Sequence, residues 1–139
     1  MLVPKKVKHR KWHTMRRNSQ KKQVETRGLT VAFGSYGLKA LGSARIRSNQ
    51  LESARKTASR ALGKTGKIWI RIFPDMPYTL KPAEVGMGKG KGDPQGYCFQ
   101  VKPGRIVFEV DGVEESVAKK ALRKAGTKLP VKTLIVSRL

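Results

Sequence analysis

The first 28 residues of the chain carry too much positive charge to form part of a hydrophobic core. Residues Met1–Gly28 contain ten Lys or Arg and few large apolar side chains. Burying so little apolar surface cannot offset the entropy of ordering the backbone, so we expect this segment to be largely disordered in isolation. We therefore predict a basic arm over residues 1–28 and one folded domain over residues 29–139, which is a common size for a single domain.

The net charge of the chain indicates a polyanionic partner. Its 31 Lys and Arg residues against 9 Asp and Glu residues give a formal net charge of +22. A chain with this charge repels itself and binds polyanions, and each cation in the arm replaces counterions at a phosphate. Trp12 lies among these charges and can stack on an unpaired base, so we favour RNA over the alternative of a solvated tail. The predicted contacts in the arm are Lys5, Lys6, Lys8, Arg10, Lys11, Trp12, Arg16 and Arg17.

A second basic stretch, Lys81–Gly92, alternates glycine with larger residues. Its glycines allow positive φ and a close approach to another surface, and its lysines place ammonium groups beside bare peptide N–H groups, which suits phosphate oxygens. A flexible linker is the alternative, but strand-like segments flank the stretch on both sides. The glycine spacing matches neither the P-loop nor the dinucleotide fingerprint. We predict an extended loop over residues 81–95 that reaches nucleic acid.

The sequence offers little for catalysis, metal binding or membrane insertion. Cys98 is the only cysteine, which excludes an intramolecular disulfide and a zinc–thiolate site. His9 and His13 are spaced as in a zinc pair, but the surrounding cations oppose a dication. Both histidines lie in the arm, and the few carboxylates have capping or turn roles, so we predict no enzyme, cofactor or small-molecule substrate. No apolar run approaches a membrane span, so we expect a cytoplasmic protein without a membrane partner.

Short strands are predicted from the hydrophobic pattern of the folded domain. Leu29–Phe33 is rich in β-formers, Gly34–Gly37 is typical of a turn, and Leu38–Leu41 and Ala44–Arg47 follow as short strands. A final strand is predicted at Leu129–Val136.

The clearest strand is Lys67–Phe73, which alternates but is apolar on both faces. This predicts a central strand that is stopped by Pro74 and Pro77. Further on, Tyr97–Val101 and Arg105–Val110 flank a Lys-Pro-Gly turn, which is typical of a β-hairpin.

Two helices are predicted from apolar residues at helical spacing, each ended by a glycine. Each start carries a polar cap with an acidic residue three positions on, as in a capping box. The first runs from Ser48 or Asn49, with Glu52, to Gly63, and the second from Asp111, with Glu114, to Gly126. The fold class is therefore α+β: a mostly antiparallel sheet with two helices packed on it, plus the arm and the loop. RNA contacts are predicted in this domain for Arg45, Arg47, Arg55, Arg60 and Arg71.

Five motifs together resemble the bacterial family of large-subunit ribosomal protein sixteen, in the expected order and over essentially the whole chain. They begin at the N-terminus with Met-Leu-Val-Pro-Lys-Lys-Val-Lys-His-Arg-Lys and end with Lys-Leu-Pro-Val-Lys. The motifs are residues 1–11, 33–40, 66–75, 87–92 and 128–132. Two departures are Gly86, where many relatives have an arginine that can be hydroxylated, and a longer arm between Arg17 and Gly28.

The resemblance implies a structural protein of the large ribosomal subunit, cytoplasmic or organellar, that binds large-subunit rRNA and helps to shape the aminoacyl-tRNA site. It also implies neighbouring large-subunit proteins as partners, a late role in subunit assembly and no homo-oligomer. The family's arm lies along rRNA, and its glycine/lysine loop points toward tRNA. The loop function carries over to Lys81, Met87, Gly88, Lys89, Gly90 and Lys91.

Two other functions stay open on the residues alone. A free-standing RNA- or DNA-binding regulator would share the basic arm and loop, and an RNA-modifying enzyme is the third alternative. Retention on large subunits at high salt separates a ribosomal protein from a regulator, since a dispersed basic surface loses affinity steeply as salt rises.

Overall fold

The computed structural model describes residues 2–14, 20–21 and 23–138. Seven strands and two helices follow one another along the described chain. In order they are β1 Tyr36–Ala40, β2 Ala44–Arg47, α1 Ser48–Leu62, β3 Lys67–Ile70, β4 Met76–Leu80, β5 Asp93–Val101, β6 Ile106–Asp111, α2 Glu115–Gly126 and β7 Thr133–Ser137. The predicted α+β class and both helices are confirmed.

The strands form two antiparallel sheets. The larger sheet has the order β3-β6-β1-β7, and the smaller has the order β2-β5-β4. Helices α1 and α2 pack against each other and against the larger sheet. Alanines such as Ala54, Ala58 and Ala121 are fully buried at these contacts, where their small side chains let the helices approach closely. The core lies between this helix pair and the central strands β1 and β6.

The segment before β1 is irregular, so the strand predicted at Leu29–Phe33 is wrong. β1 instead begins at Tyr36, inside the predicted turn. The backbone N–H groups of residues 32–34 donate to the Glu109 carboxylate on β6 and not to a neighbouring strand. Gly34 is required at this crossing, because a Cβ there would lie 2.6 Å from the Val110 carbonyl oxygen.

The predicted hairpin across Lys102–Gly104 is also wrong. β5 and β6 belong to different sheets, so this turn connects the two sheets. The real hairpin joins β5 to β4, a strand that the hydrophobic pattern does not predict because Pro77 ordinarily interrupts a strand. β4 is an edge strand, where a proline's missing N–H costs no ladder hydrogen bond.

The strand predicted at Lys67–Phe73 ends earlier, at Ile70, and it lies at a sheet edge and not in the centre. Both of its faces are nevertheless covered. Ile68 and Ile70 pack toward the core, and the Phe33 ring stacks on Trp69 with ring centroids 6.3 Å apart. β3 is therefore apolar on both faces because the core covers one face and the irregular segment that carries Phe33 covers the other. A second neighbouring strand is not the reason.

The helix ends are confirmed at Gly63 and Gly126, but the predicted capping boxes are wrong. At α1 the Arg47 N–H donates to Gln50 Oε1 at 3.0 Å, while Glu52 pairs with Arg55 one turn on. At α2 the N-cap is Glu114, and Asp111 instead accepts the Ser35 hydroxyl and the Gly112 N–H. The last strand starts four residues later than predicted, at Thr133.

Candidate nucleic-acid interface

Residues 2–14 of the arm contain no helix or strand. Leu2 packs against the core cluster and so anchors the start of the arm to the folded domain. The predicted contacts that follow it are exposed, apart from the half-buried Lys11. Arg16 and Arg17 lie outside the described residues.

The glycine/lysine loop is the connection between β4 and β5, so a hairpin holds both of its ends. Residues 82–91 are exposed, the two end residues Lys81 and Gly92 are half-buried, and Met87 is 99% exposed at the tip. Gly88, Lys89 and Gly90 all take positive φ, at 90°, 58° and 112°. Lys81 Nζ donates to the Gly88 carbonyl at 2.6 Å, which ties the tip to the base of the loop. The loop tip therefore takes the left-handed backbone conformation that glycine allows.

The arm and the loop contact each other directly. Lys11 Nζ donates to the Lys91 carbonyl at 3.2 Å, and Lys91 Nζ donates to the Trp12 carbonyl. Close by, the Arg10 guanidinium lies 4.0 Å from the Asp93 carboxylate at the start of β5. Two basic segments about 80 residues apart in sequence therefore form one continuous surface. The ammonium groups of Lys5, Lys6, Lys8 and Lys89 make no hydrogen bond or ion pair in the part of the chain that the structure describes.

The five arginines predicted in the folded domain do not share one environment. Arg45 and Arg47 are exposed on β2, and Arg60 is exposed near the end of α1. Arg55 is half-buried and pairs with Glu52 on its own helix. Arg71 follows β3 and pairs with Glu109.

This surface combines exposed cations with exposed backbone, which are groups that proteins use to bind phosphate. A family model described as "Ribosomal protein L16p/L10e" matches residues 4–136, and so spans the arm, both sheets and the loop. The chain belongs to this family of ribosomal proteins.

Curated members of the L16p/L10e family are similar to this chain over nearly its full length. The large ribosomal subunit protein uL16 of Rickettsia bellii is 54% identical over 136 residues, which cover 98% of this chain and 97% of that protein. The protein of the same name from Rickettsia prowazekii is 52% identical over 138 residues, covering 99% and 98%. The resemblance drawn from the five motifs is thereby confirmed.

Membership in the L16p/L10e family makes this chain a structural constituent of the large ribosomal subunit and not an enzyme. It implies association with rRNA and with other ribosomal proteins, and it confirms the predicted location in the large subunit, which is cytoplasmic in bacteria. Of the two helices that the structure describes, neither is long and apolar enough to cross a membrane.

The sequence patterns do not single out Glu109, the residue that holds the irregular segment of this family member in place. Its side chain is fully buried and accepts the N–H groups of Ala32, Phe33 and Gly34 at 2.8, 2.6 and 3.0 Å. Arg71 completes the site with an ion pair, and its guanidinium lies 5.0 Å from the Phe33 ring centroid. The one available signal is an acid inside the apolar run at residues 106–110 of β6.

The pKa of Glu109 lies below its usual value. Burial alone raises this pKa, but the three backbone N–H donors and the Arg71 guanidinium stabilise the carboxylate by more. The carboxylate is therefore ionised at neutral pH and neutralises Arg71. Arg71 thus has an internal role, and its predicted RNA contact stays a prediction.

Proposed function

We propose that this L16p/L10e family member binds large-subunit rRNA through its arm and the exposed arginines of β2 and α1. We further propose that its glycine/lysine loop contacts tRNA at the aminoacyl site. The observation that carries this is the pair of contacts between arm and loop: Lys11 Nζ donates to the Lys91 carbonyl, and Lys91 Nζ donates to the Trp12 carbonyl. An arm bound to rRNA would then hold the loop in a fixed position relative to that RNA.

Charge placement supports the same assignment. Four of the nine acidic residues lie in β6, at the N-cap of α2 or at its first residue, away from the arm in sequence: Glu109, Asp111, Glu114 and Glu115. Among the described cations of the arm and the loop, Arg10 alone forms an ion pair, with Asp93 at 4.0 Å, and both side chains are exposed. Exposed ion pairs at this distance contribute little to stability, so the Arg10 guanidinium remains available to bind phosphate.

The shape of the loop suits a flexible nucleic-acid partner. A Cβ added at Gly86, Gly88 or Gly90 would meet nothing within 4 Å. A lack of space within the protein therefore does not explain why these residues are glycine. Positive φ at Gly88 and Gly90 and open space beside them favour close approach by another molecule. Lys81, Lys89 and Lys91 would place charge at its phosphates, and Met87 would pack against a sugar or base.

The proposal includes two further points: residue 28 is the boundary between the arm and the folded domain, and the protein acts late in assembly of the large subunit. The arm would dock on rRNA already folded in a nearly complete subunit, which makes its contribution late. Backbone contacts from Glu25 to Pro103 and from Gly28 to Ile106 attach the end of the arm to the domain. We expect a single copy in each subunit, without self-association.

The double substitution Lys89→Ala with Lys91→Ala is expected to weaken tRNA binding at the aminoacyl site about tenfold or more, because charge-assisted hydrogen bonds to phosphate are lost. Thermal unfolding should not change, since both side chains lie outside the core. Affinity would be measured by filter binding of aminoacyl-tRNA to ribosomes that carry the variant protein.

Lys64→Ala with Lys67→Ala removes the same charge from exposed positions near β3 and should leave tRNA affinity unchanged. Lys89→Ala alone separates direct contact from loosening of the arm, because only Lys91 bonds to Trp12. Equal tRNA affinity for wild type and the Lys89/Lys91 double variant would contradict the loop assignment.

A further inference from the structure

A concave pocket lies on the smaller sheet, built by strands β2, β5 and β4. The register places Arg47 opposite Cys98 and Cys98 opposite Met76, so these side chains share one face. The cavity has a volume of about 640 Å³ and is lined by Arg45, Arg47, Gln50, Tyr78 and Gln95, among others. This volume is within the range of about 300–1,000 Å³ that is typical of sites for small organic groups.

The pocket contains a fixed planar surface. The Tyr78 ring lies across Gly96 on the neighbouring strand, where an added Cβ would be 3.1 Å from the Tyr78 hydroxyl. The Arg47 guanidinium lies 5.1 Å from the centre of the same ring, in cation–π contact. Contact with Gly96 near its hydroxyl end and with the Arg47 guanidinium therefore holds the ring in place. Nucleic-acid bases stack on planar groups of these two kinds.

The polar groups of the pocket are free to bind a ligand. No ion pair among the described residues involves Arg45 or Arg47. Gln50 uses its carbonyl oxygen for the Arg47 N–H, which leaves its amide NH₂ as a donor, and Gln95 is exposed. Cys98 lines the bottom of the pocket but is only 1% exposed, and burial raises the pKa of its thiol. We therefore expect this thiol to be unreactive.

We infer that this pocket receives one unpaired nucleotide of RNA, with its base stacked at Tyr78 and Arg47, its base edge at Gln50 or Gln95, and its phosphate at Arg45. Because this rests on the proposed binding of rRNA, the nucleotide is assigned to large-subunit rRNA. An acidic peptide would satisfy the arginines but would leave the planar Tyr78–Arg47 pair unused. Stacking together with charge and amide donors is the combination that unpaired bases require.

Tyr78→Leu in reconstituted large subunits is expected to expose one rRNA nucleotide to base-specific chemical modification and to lower affinity for protein-free rRNA about tenfold, since stacking of a base is lost. Tyr78→Phe keeps the ring and should preserve both protection and affinity. Tyr97→Leu makes the same change to a half-buried tyrosine on the opposite face of β5 and should leave that nucleotide protected. If circular dichroism shows that Tyr78→Leu is misfolded, Arg45→Gln at an exposed position should expose the same nucleotide.

Ultraviolet crosslinking of the wild-type protein decides the occupant. A Tyr78 crosslink to a single rRNA nucleotide supports the assignment, whereas a crosslink to a ribosomal protein, or no nucleotide that changes in the variants, overturns it. If the arm crosslinks to rRNA but Tyr78 does not, the pocket assignment fails and the proposed function stands. If neither crosslinks to rRNA, the proposed function itself has failed.

Discussion

Glu109→Gln is expected to lower the free energy of unfolding by about 3–5 kcal/mol, the largest loss of stability that we expect from a single substitution in this chain. The amide leaves Arg71 without a counter-charge, and the NH₂ group that replaces one carboxylate oxygen cannot accept from the backbone N–H groups that this oxygen now satisfies. Urea unfolding of the full-length protein, followed by circular dichroism, measures the change.

Glu52→Gln is the matched control for this substitution. Glu52 also pairs with an arginine, but the pair with Arg55 is only partly buried and lies within one helix, and we expect a loss of about 1 kcal/mol or less. Equal small losses for the two variants would show that the buried Glu109 site does not hold residues 29–35 in place.

Acid should destabilise the wild-type protein through the same carboxylate. The folded pKa of Glu109 is below the ordinary value of 4.5, so its contribution to stability is fully present above pH 4.5 and is lost as pH falls through the folded pKa. Urea unfolding at several pH values between about 7 and 3 should show that the free energy of unfolding declines below pH 4.5. This decline should be smaller in Glu109→Gln than in the wild type. Parallel pH profiles for the two proteins would contradict this origin of acid sensitivity.

Neutralising the arm is expected to cause the largest loss of RNA affinity. With five of its cations replaced by glutamine, the slope of log affinity against log salt should fall by about 4, because each phosphate contact contributes about 0.7–0.9. Between about 50 and 200 mM salt, the wild type should therefore lose roughly 250-fold more affinity than the variant. Filter binding to large-subunit rRNA measures both slopes. The replaced residues are Lys5, Lys6, Lys8, Arg10 and Lys11.

Helix α2 offers a control with the same change in net charge. Its exposed face and the residues just after it carry five cations, which can all be replaced by glutamine: Lys119, Lys120, Arg123, Lys124 and Lys128. If location and not total charge governs binding, this variant should keep most of the salt slope. Similar losses for the two variants would mean that binding depends on net charge alone.

The parts of the fold that could be predicted were those with local causes. Alternating or helical apolar spacing located β2, both helices and most of β5 and β6, and glycines marked the helix ends correctly. The loop at residues 81–92 was recognisable because four alternating glycines and two lysines serve no purpose in a core.

The errors arose where distant residues decide the local structure. Residues 29–33 look like a strand, but the carboxylate that takes up the N–H groups at 32–34 comes from 75 to 77 residues away. The turn at Lys102–Gly104 has hairpin chemistry, yet its two strands join different sheets. Pairing of β4 with β5 lets Pro77 sit in a strand, and no local pattern signals this.

Of the candidate site, the arm and the loop were predictable from composition, but their contact was not. Lys11 and Lys91 are 80 residues apart in sequence, and their like charges repel each other, so no sequence pattern predicts that they are close. In the structure each ammonium group donates to a backbone carbonyl of the other segment, which brings the two lysines together. The pocket at Tyr78 was not predictable because it depends on β4 and on the register of three strands.

Crosslinking from the loop tip is the most direct test of the proposed RNA contacts. A photocrosslinking amino acid at position 87, which is 99% exposed, would be activated in a translating lysate, and the attached RNA would be sequenced. We expect crosslinks to large-subunit rRNA and to tRNA, and crosslinks to rRNA alone from the same group at position 12 in the arm. Crosslinks scattered over messenger RNA or DNA, with none to tRNA, would contradict the proposed role of the loop.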